Sequence, residues 1–328
     1  METNLNYIEQ LLNKKFIFPP DICTCGHNKF QINKNNRNKN TKFCFRCTKK
    51  SCRKIYPLRN NSFYEPFKFL TFYECDQLFQ CFMLLEFSAV KTHQYLEETK
   101  KLNISLSNIR RFFKEIRRII YNYYLIQYNV DQFGEENGNR YYSIDESMFV
   151  HDVNKAPLWV LGMTENQTKD FRIVVSKTRD EEATKEFITR YIPTGNNIVT
   201  DGLSAYDWID RANSGYTRFE HIHGRNDFGH GIESTSHVES IWGQLKNAIK
   251  STYYIIPNLN FLYYLREEEW KLKVKNLSFQ DKLNDFMEMY CLLKNIENDI
   301  PEEYYFCNNS ELNTIIAHED DEDDNVAV

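Results

Sequence analysis

The feature that most constrains the fold is the order in which strand-like and helix-like apolar patterns alternate between residues 140 and 255. The predicted elements are, in chain order, strands near 140–150, 157–163 and 171–176, a helix at 180–191, a strand at 196–200, a short helix at 203–211, a strand near 217–222 and a helix from 236. Pro193 and Gly195 end the first of these helices. The order β-β-β-α-β-α-β-α predicts an α/β domain built on a mixed sheet.

Three acidic residues lie where this pattern could bring them together. Asp145 is inside the first strand, Asp201 directly follows the fourth, and Glu239 is in the last helix. Hard cations prefer carboxylate oxygens, and two Mg²⁺ ions about 4 Å apart can hold the attacking and leaving oxygens of a phosphodiester in line. With 46 acidic residues in the chain, any one alone is more often a solvated charge. The arrangement as a whole therefore indicates a two-metal phosphoryl-transfer site.

This element order, with acids on the first strand, after the fourth strand and on the last helix, is that of the ribonuclease H-like fold. Three blocks then resemble the Merlin-type DDE transposases and their bacterial insertion-sequence relatives. They are Ser-Ile-Asp-Glu at 143–146, Thr-Asp-Gly-Leu-Ser-Ala-Tyr at 200–206 and His-Val-Glu-Ser-Ile-Trp-Gly-Gln-Leu-Lys at 237–246. Upstream, 45–54 and 59–63 are similar to the family's zinc-ribbon end, so the resemblance covers roughly residues 20–275.

The resemblance implies a cut-and-paste DNA transposase whose catalytic triad, Asp145, Asp201 and Glu239, binds two Mg²⁺ or Mn²⁺ ions. A metal-activated water would hydrolyse a phosphodiester at a terminal inverted repeat, and the freed 3′-hydroxyl would attack target DNA. The resemblance also implies that the protein binds double-stranded DNA, assembles as a dimer or larger oligomer, and acts in the nucleus. Two other functions stay open: a domesticated DNA-binding protein without catalysis, and a metal-dependent nuclease that cuts without joining.

Residues around the triad have narrower expected roles. Glu146 lies beside the first Asp, but neighbouring strand residues face opposite sides, so a supporting role is expected. Lys246 shares the helical face of Glu239 and is a candidate for contact with a DNA phosphate, as is Lys250. The alternative for Lys246 is an ordinary exposed lysine without such a contact.

Other residues near the triad are expected to have structural roles. Val238, Trp242, Leu245 and Ile249 form a separate stripe that predicts core packing. His221, His223, His230 and His237 lack a fixed ligand spacing and are expected to be loop or hydrogen-bonding residues rather than a metal site.

Five of the nine cysteines fall between residues 23 and 52. The start of the chain has no basic and apolar stretch typical of a signal peptide, so a zinc site is the expected use of these thiols rather than disulfides. Cys23 and Cys25 are one pair, and the second is Cys44 with Cys47 or Cys47 with Cys52. The family resemblance favours Cys23, Cys25, Cys47 and Cys52 as ligands of one structural Zn²⁺. Cys44 or His27 stays open as a substitute.

Charge separates sharply along the chain although the net charge is only −5. Residues 1–130 have 22 Lys and Arg against 10 Asp and Glu, and the remainder has 19 against 36. This asymmetry indicates a basic DNA-binding arm on an acidic catalytic body. Within the arm, a helix capped by Ser107 is a candidate for the second helix of a helix-turn-helix module. A structural helix with a solvated basic face explains the same pattern nearly as well. The candidate DNA contacts are Arg53, Lys54, Arg110, Arg111, Arg117 and Arg118.

These observations divide the chain into four predicted modules. They are a zinc ribbon at 1–65, a helical module at 66–130, the ribonuclease H-like domain at 140–255, and C-terminal helices with a disordered acidic tail at 256–328. The turn-forming segment 131–139 is the predicted linker before the catalytic domain. There is no apolar run long enough to cross a bilayer and no glycine-rich phosphate loop, so no membrane partner is expected.

Overall fold

The computed structural model describes residues 5–35, 42–130, 133, 138–150, 158–221, 231–252 and 261–296. The chain forms two compact units. The first contains the described residues up to Tyr123 and those from Val274 onward, and the second contains Tyr124–Lys273. The four module boundaries expected from the sequence stay predictions. Most of the predicted linker and the whole acidic tail lie outside the described residues.

The helices are α1 (Leu5–Asn13), α2 (Phe72–Met83), α3 (Ala89–Lys100), α4 (Leu106–Val130), α5 (Glu181–Tyr191), α6 (Ser236–Thr252), α7 (Phe261–Lys273) and α8 (Phe279–Asn295), with 3-10 helices at Glu65–Phe67 and Ser204–Asp210. The strands are β1 (Phe30–Lys34), β2 (Phe43–Cys47), β3 (Ile55–Pro57), β4 (Tyr141–Val150), β5 (Leu158–Glu165), β6 (Phe171–Ser176), β7 (Asn197–Thr200) and β8 (Thr217–Glu220). None of the helices in these described segments is long and apolar enough to cross a membrane.

The first unit combines a small antiparallel sheet, in the order β1-β2-β3, with helices packed through aromatic rings. Phe63 is the centre of this packing, and its ring lies 5.2–5.4 Å from those of Phe67, Phe79, Phe112 and Phe286. Offset and edge-to-face ring pairs of this kind add to the hydrophobic stabilisation of a core.

Helices α2, α3 and α4 occupy the region that was predicted to be helical. A capping box between Thr71 and Glu74 begins α2, and Ser88 caps α3. The cap of α4 is Ser105 rather than the predicted Ser107, because the N–H of Asn108 donates to Ser105 Oγ at 3.4 Å. The helix therefore begins one residue before Ser107. The helix-turn-helix interpretation of these helices stays a prediction.

The second unit is built on a five-stranded mixed sheet in the order β6-β5-β4-β7-β8. Strand β4 is central: it pairs antiparallel with β5 and parallel with β7. This confirms the predicted α/β class and mixed sheet. The short helix expected at 203–211 is a 3-10 helix, and β8 ends at Glu220 rather than near 222.

Helix α6 covers one face of this sheet through the predicted apolar stripe. Val238, Trp242, Leu245 and Ile249 are buried in one cluster with side chains from β5, β6 and α7. The core prediction for these four residues is therefore confirmed. The polar side of the same helix carries Glu239 in its first turn.

Candidate active site

The sheet brings Asp145, on β4, and Asp201, in the loop directly after the parallel strand β7, to equivalent positions. The last residue pair between β4 and β7 is Ser143 with Val199, and each aspartate lies two residues beyond it. Both side chains are half-buried. Burial raises the pKa values of Asp145 and Glu146 most, and the negative charge of Asp201 raises both further, so the three carboxyl groups interact electrostatically.

Asp145 is the most strongly perturbed of these acids. Its pKa is raised to about 7, first by burial and then by the charges of Glu146 and Asp201. The indole N–H of Trp242 donates a hydrogen bond to Asp145 Oδ2 at 3.0 Å, which lowers that pKa in part. A half-buried carboxyl with a pKa close to neutrality and acidic neighbours is typical of a functional site.

Glu146 is hydrogen-bonded to groups outside the carboxylate trio, as its strand position predicts. Its Oε2 accepts from the hydroxyl of the buried Tyr206 at 2.8 Å, and its Oε1 accepts from Arg179 Nη1 at 3.1 Å. Arg179 also lies over the ring of Trp159, 4.2 Å from its centroid. Because both carboxylate oxygens of Glu146 have protein partners, the side chain connects β4 to the 3-10 helix that follows Asp201.

The loop that carries Asp201 is fixed by its own hydrogen bonds and by Arg218. Asp201 Oδ1 accepts from the N–H of Leu203 at 2.9 Å. The guanidinium of Arg218 donates to the carbonyl of Asp201 at 3.0 Å and to Thr200 Oγ1 at 2.9 Å. Arg218 also pairs with Asp207 and Asp210, each at 3.0 Å. This buried arginine therefore holds the backbone of the candidate metal ligand.

Glu239 is exposed, and its carboxylate accepts from Thr235 Oγ1 at 2.8 Å. The entry to its helix is fixed by Asn166, whose Nδ2 donates to the carbonyls of Ile232 (2.6 Å) and Ser234 (3.2 Å). Asn166 Oδ1 in turn accepts from Ser143 Oγ at 2.7 Å. Since Ser143 is two residues before Asp145, this network connects the Asp145 strand to the start of the Glu239 helix.

We refer to Asp145, Asp201 and Glu239 as the carboxylate trio, and to Cys23, Cys25, Cys47 and Cys52 as the cysteine cluster. Across the described segments, the cysteine cluster is the only set of three or more His, Cys, Asp or Glu side chains whose ligand atoms all lie within 4.8 Å of one another. The carboxylate trio is not assembled to that degree. Its assignment as the catalytic metal site stays a prediction.

The cysteine cluster fits a tetrahedral zinc ion. The Sγ atoms of Cys23 and Cys52 are 3.5 Å apart and those of Cys25 and Cys47 are 3.8 Å apart. Zn–S bonds of about 2.3 Å in a tetrahedron require sulfurs roughly 3.8 Å apart. A hydrogen bond from the Tyr56 hydroxyl to Cys23 Sγ, at 3.2 Å, is the main reason why the pKa of Cys23 is lowered to about 6. A thiol that ionises readily is suited to metal binding.

Neither proposed substitute belongs to this cluster. Cys44 is buried, and its Sγ donates to the carbonyl of Asn33 at 3.6 Å. His27 Nε2 lies 2.8 Å from Thr48 Oγ1. Both residues therefore have partners away from the four sulfurs.

The predicted DNA-contacting residues vary in exposure. Arg53, Lys54, Arg110, Arg111 and Arg118 are exposed, whereas Arg117 is half-buried and its guanidinium lies over the rings of Phe82 and Phe113. Lys246 is half-buried, with Nζ 5.6 Å from the ring centroid of Phe149, and the side chain of Lys250 lies outside what the structure describes. Their contacts with DNA stay predictions.

Of the four histidines, His223 and His230 lie outside the described residues. The N–H of His221 donates to the carbonyl of Thr200 at 3.0 Å. His237 is half-buried, and its pKa is lowered by burial and by the charge of Lys169. His221 and His237 do not take part in a metal-ligand group with other described residues.

Sequence reasoning missed Asn166, Arg218 and Gly162, and it treated Trp242 as a core residue only. Among these residues, Gly162 is the one with a signal in the sequence, because an isolated glycine inside a strand pattern often marks a close approach of another group. Gly162 is such a case: it pairs with Asp145 across β4 and β5, and Trp242 packs against it.

Residues 134–273 match the family model of the ISXO2-like transposase domain. The matched segment spans the five-stranded sheet, α6 and α7, and thus includes all of the carboxylate trio. The match supports an assignment of this part of the chain to the insertion-sequence DDE transposases. Comparison with curated proteins gave no match.

Three solved structures are similar to part of the chain. The simian T-cell lymphotropic virus intasome matches at 16% identity over 46% of this chain and 52% of its own, with a TM-score of 0.32. The HTLV-2 integrase catalytic core with magnesium matches at 14% over 45% and 82%, with a TM-score of 0.25. The BIV integrase catalytic core matches at 14% over 47% and 99%, with a TM-score of 0.30. The match thus spans about half the length of the intasome chain.

Proposed function

We propose that the protein is a metal-dependent DNA transposase of the DDE type, related to the Merlin group, that cuts element ends and joins them to target DNA. The observation that carries this proposal is the placement of Asp145 and Asp201 two residues beyond the last pair between adjacent parallel strands, where burial and then the charges of Glu146 and Asp201 raise the pKa of Asp145. The ISXO2-like domain match over the same segment supports it.

The chemistry of the candidate site fits divalent metal ions. Burial raises the pKa values of Asp145 and Glu146, and the negative charge that these residues and Asp201 bring to one part of the sheet raises them further. A cation with hard oxygen preference, Mg²⁺ or Mn²⁺, would relieve this repulsion. Asp145, Asp201 and Glu239 would hold the ions. When bound, such ions lower the pKa of water and neutralise charge on a phosphodiester.

The residues of the chain would do the remaining work. The carboxylate trio would hold the ions beside the reacting phosphate, and Lys246 would contact the DNA backbone beside Glu239. The cysteine cluster would hold one structural Zn²⁺, so that Arg53 and Lys54 meet DNA on a rigid support. The exposed arginines of α4 would add phosphate contacts. We further infer a dimer or larger assembly that binds two terminal inverted repeats, and action in the nucleus.

The test is a cleavage and strand-transfer assay with purified protein, the DNA that flanks its own gene, and Mg²⁺ or Mn²⁺. We expect metal-dependent cutting at a terminal repeat and a joined product, both lost in Asp201→Asn. Glu186→Gln, at an exposed acid on α5, is the matched control and should retain both activities.

Two results would contradict the transposase proposal. Cutting without a joined product would indicate a nuclease of the same architecture. Tight binding to the repeat with no metal-dependent chemistry would indicate a DNA-binding protein that has lost catalysis.

A further inference from the structure

The side chain of Trp242 connects two parts of the candidate active site. Its indole N–H donates to Asp145 Oδ2 at 3.0 Å, across 97 positions of sequence. Trp242 is also three residues after Glu239 in α6, so the two side chains are one helical turn apart. One buried residue therefore contacts the first acid of the trio and lies on the same helix as the third.

Gly162 provides the space that this hydrogen bond needs. It lies directly opposite Asp145 in the β4–β5 pairing. A Cβ atom at position 162 would lie 2.4 Å from Cζ2 and 2.5 Å from Cη2 of Trp242, far inside normal contact distance. Any larger residue would therefore push the indole ring away from the sheet and from Asp145.

Core packing alone does not account for the position of the indole N–H. Trp208, in the same unit, is equally well buried at 3% exposure, and its Nε1 has no hydrogen-bond partner among the described residues. Tryptophan burial in this unit thus does not require an acidic acceptor. At Trp242, by contrast, the N–H is directed at the carboxyl of Asp145.

We propose that Trp242 is a positioning residue for Asp145, and that Gly162 is the residue that permits it. The hydrogen bond restricts rotation of the Asp145 carboxylate and ties it to the helix that carries Glu239. Carboxylates that bind metal ions are commonly held by such outer hydrogen bonds, whose loss weakens metal binding. This inference rests on the proposed function, because it assumes that Asp145 is a metal ligand.

The test measures Mn²⁺ affinity by titration calorimetry in three variants. Two of them disturb the hydrogen bond between Trp242 and Asp145, and the third leaves it intact. Trp242→Phe keeps an aromatic ring but removes the N–H donor. Gly162→Ala leaves Trp242 intact but displaces its ring. Trp208→Phe makes the same substitution at a buried tryptophan without that hydrogen bond. Asp201→Asn identifies the part of the Mn²⁺ signal that belongs to the carboxylates.

We expect Mn²⁺ affinity to fall by about tenfold or more in Trp242→Phe and in Gly162→Ala. Trp208→Phe should stay within about twofold of wild type, as typical of a substitution outside the outer hydrogen bonds of a metal site. DNA cleavage by the two affected variants should recover in part at high Mn²⁺, because weakened metal binding can be saturated. A purely structural role of Trp242 would lower thermal stability without this recovery. Equal Mn²⁺ affinity in all three variants and the wild type would overturn the proposal.

A measurement on the wild-type protein covers the case in which either affected variant fails to fold. The indole N–H resonance of Trp242 should shift on addition of Mg²⁺, whereas that of Trp208 should stay in place. No shift at Trp242 would overturn the proposal.

The proposed function can fail independently of the role proposed for Trp242. A wild-type protein that binds Mn²⁺ at the carboxylates but cuts no DNA would contradict only the transposase assignment, and the affinity ratios would still decide the role of Trp242.

Discussion

The cysteine cluster and the carboxylate trio are both candidate metal sites, but only the first is assembled in the structure. The four sulfurs of the cluster lie within 4.8 Å of one another. They come from two short turns that are held by backbone hydrogen bonds, from Cys23 N to His27 O (2.7 Å) and from Cys47 N to Lys54 O (2.9 Å). These local hydrogen bonds help to place the four ligands close together.

The carboxylate trio is distributed over β4, the loop after β7 and the first turn of α6. Burial raises the pKa of Asp145 most, and the charges of Glu146 and Asp201 raise it further, so bringing another carboxylate close to it without a cation would be unfavourable. The two sites therefore suit different metals. A prearranged thiol tetrahedron fits a permanent structural ion, whereas separate carboxylates on rigid elements fit ions that bind and leave with substrate.

The largest expected effect is that of breaking the cysteine cluster. Cys47→Ser should release the single Zn²⁺ expected per chain and unfold the β1–β3 region, because zinc binding in small zinc folds contributes on the order of 10 kcal/mol. Metal content by mass spectrometry and the thermal unfolding temperature measure both effects. Cys44→Ser is the matched control and should keep its zinc, since Cys44 Sγ donates to the carbonyl of Asn33. Loss of zinc from Cys44→Ser would show that the cluster has been assigned to the wrong cysteines.

Metal removal should separate the two sites by their exchange rates. Brief treatment with EDTA should abolish DNA cleavage, and excess Mg²⁺ should restore it, while the zinc content stays at one per chain. Open oxygen sites exchange their ions readily, whereas closed thiolate sites do not. Activity and zinc content measured on the same samples provide the check. If cleavage returned only after zinc was added, the proposed division between the two sites would be wrong.

Much of the fold follows from local sequence patterns. The predicted strand at 171–176 coincides with β6, and the helix at 180–191 corresponds to α5, which Asp180 caps. These elements are predictable because their apolar periodicity is decided by residues close in sequence. The same applies to the buried stripe of α6. The 3-10 helix at Ser204–Asp210 was not distinguished from an α-helix, because short helical turns of both types share the same apolar pattern.

The connections within the candidate site were not predictable in the same way. Trp242 fits the apolar stripe of α6, and nothing in its local pattern indicates a hydrogen bond to a strand residue 97 positions away. Asn166 lies in a hairpin turn, where asparagine is ordinarily explained by turn geometry. Its role depends on carbonyls near residue 233, which only the folded chain brings close. Contacts between two residues far apart in sequence leave no periodic pattern from which they could be predicted.

Loss of the Asn166 network should weaken the trio while leaving the cysteine cluster intact. Asn166→Ala leaves the carbonyls of Ile232 and Ser234 and the hydroxyl of Ser143 without their partner. Ser143 and Ser234 are buried, whereas Ile232 is exposed and its carbonyl can bond to water instead. Unsatisfied buried groups cost about 1–3 kcal/mol each, so we expect a loss of about 2 kcal/mol after partial relaxation. Denaturant unfolding of the second unit measures this change. Gln167→Ala, at the neighbouring turn residue, should cost well under half as much, and equal losses would contradict the role of Asn166.

The last prediction concerns Asp76, a half-buried acid outside both sites. It tests whether partial burial alone gives a carboxyl group the raised pKa and the response to metal expected of the trio. Burial raises its pKa to about 6, against the opposing hydrogen bond from the Tyr7 hydroxyl. Because this folded-state pKa is above the unfolded value of about 3.9, the folded chain binds the proton more tightly. Its contribution to stability is therefore complete below about pH 4 and is lost as the pH rises towards 6.

Urea unfolding between pH 4 and 7 should show this loss as a slope of at most about 1.4 kcal/mol per pH unit. Asp76→Asn should lower the slope by this amount and leave the part that comes from Asp145, whereas Asp21→Asn, at an exposed aspartate, should leave the slope unchanged. Added Mg²⁺ should not affect the Asp76 contribution, because Asp76 does not belong to any group of three possible metal ligands among the described residues. Loss of the Asp76 contribution on addition of Mg²⁺ would mean that a single half-buried carboxyl is enough to bind the ion, and the distinction drawn for the trio would then lose its basis.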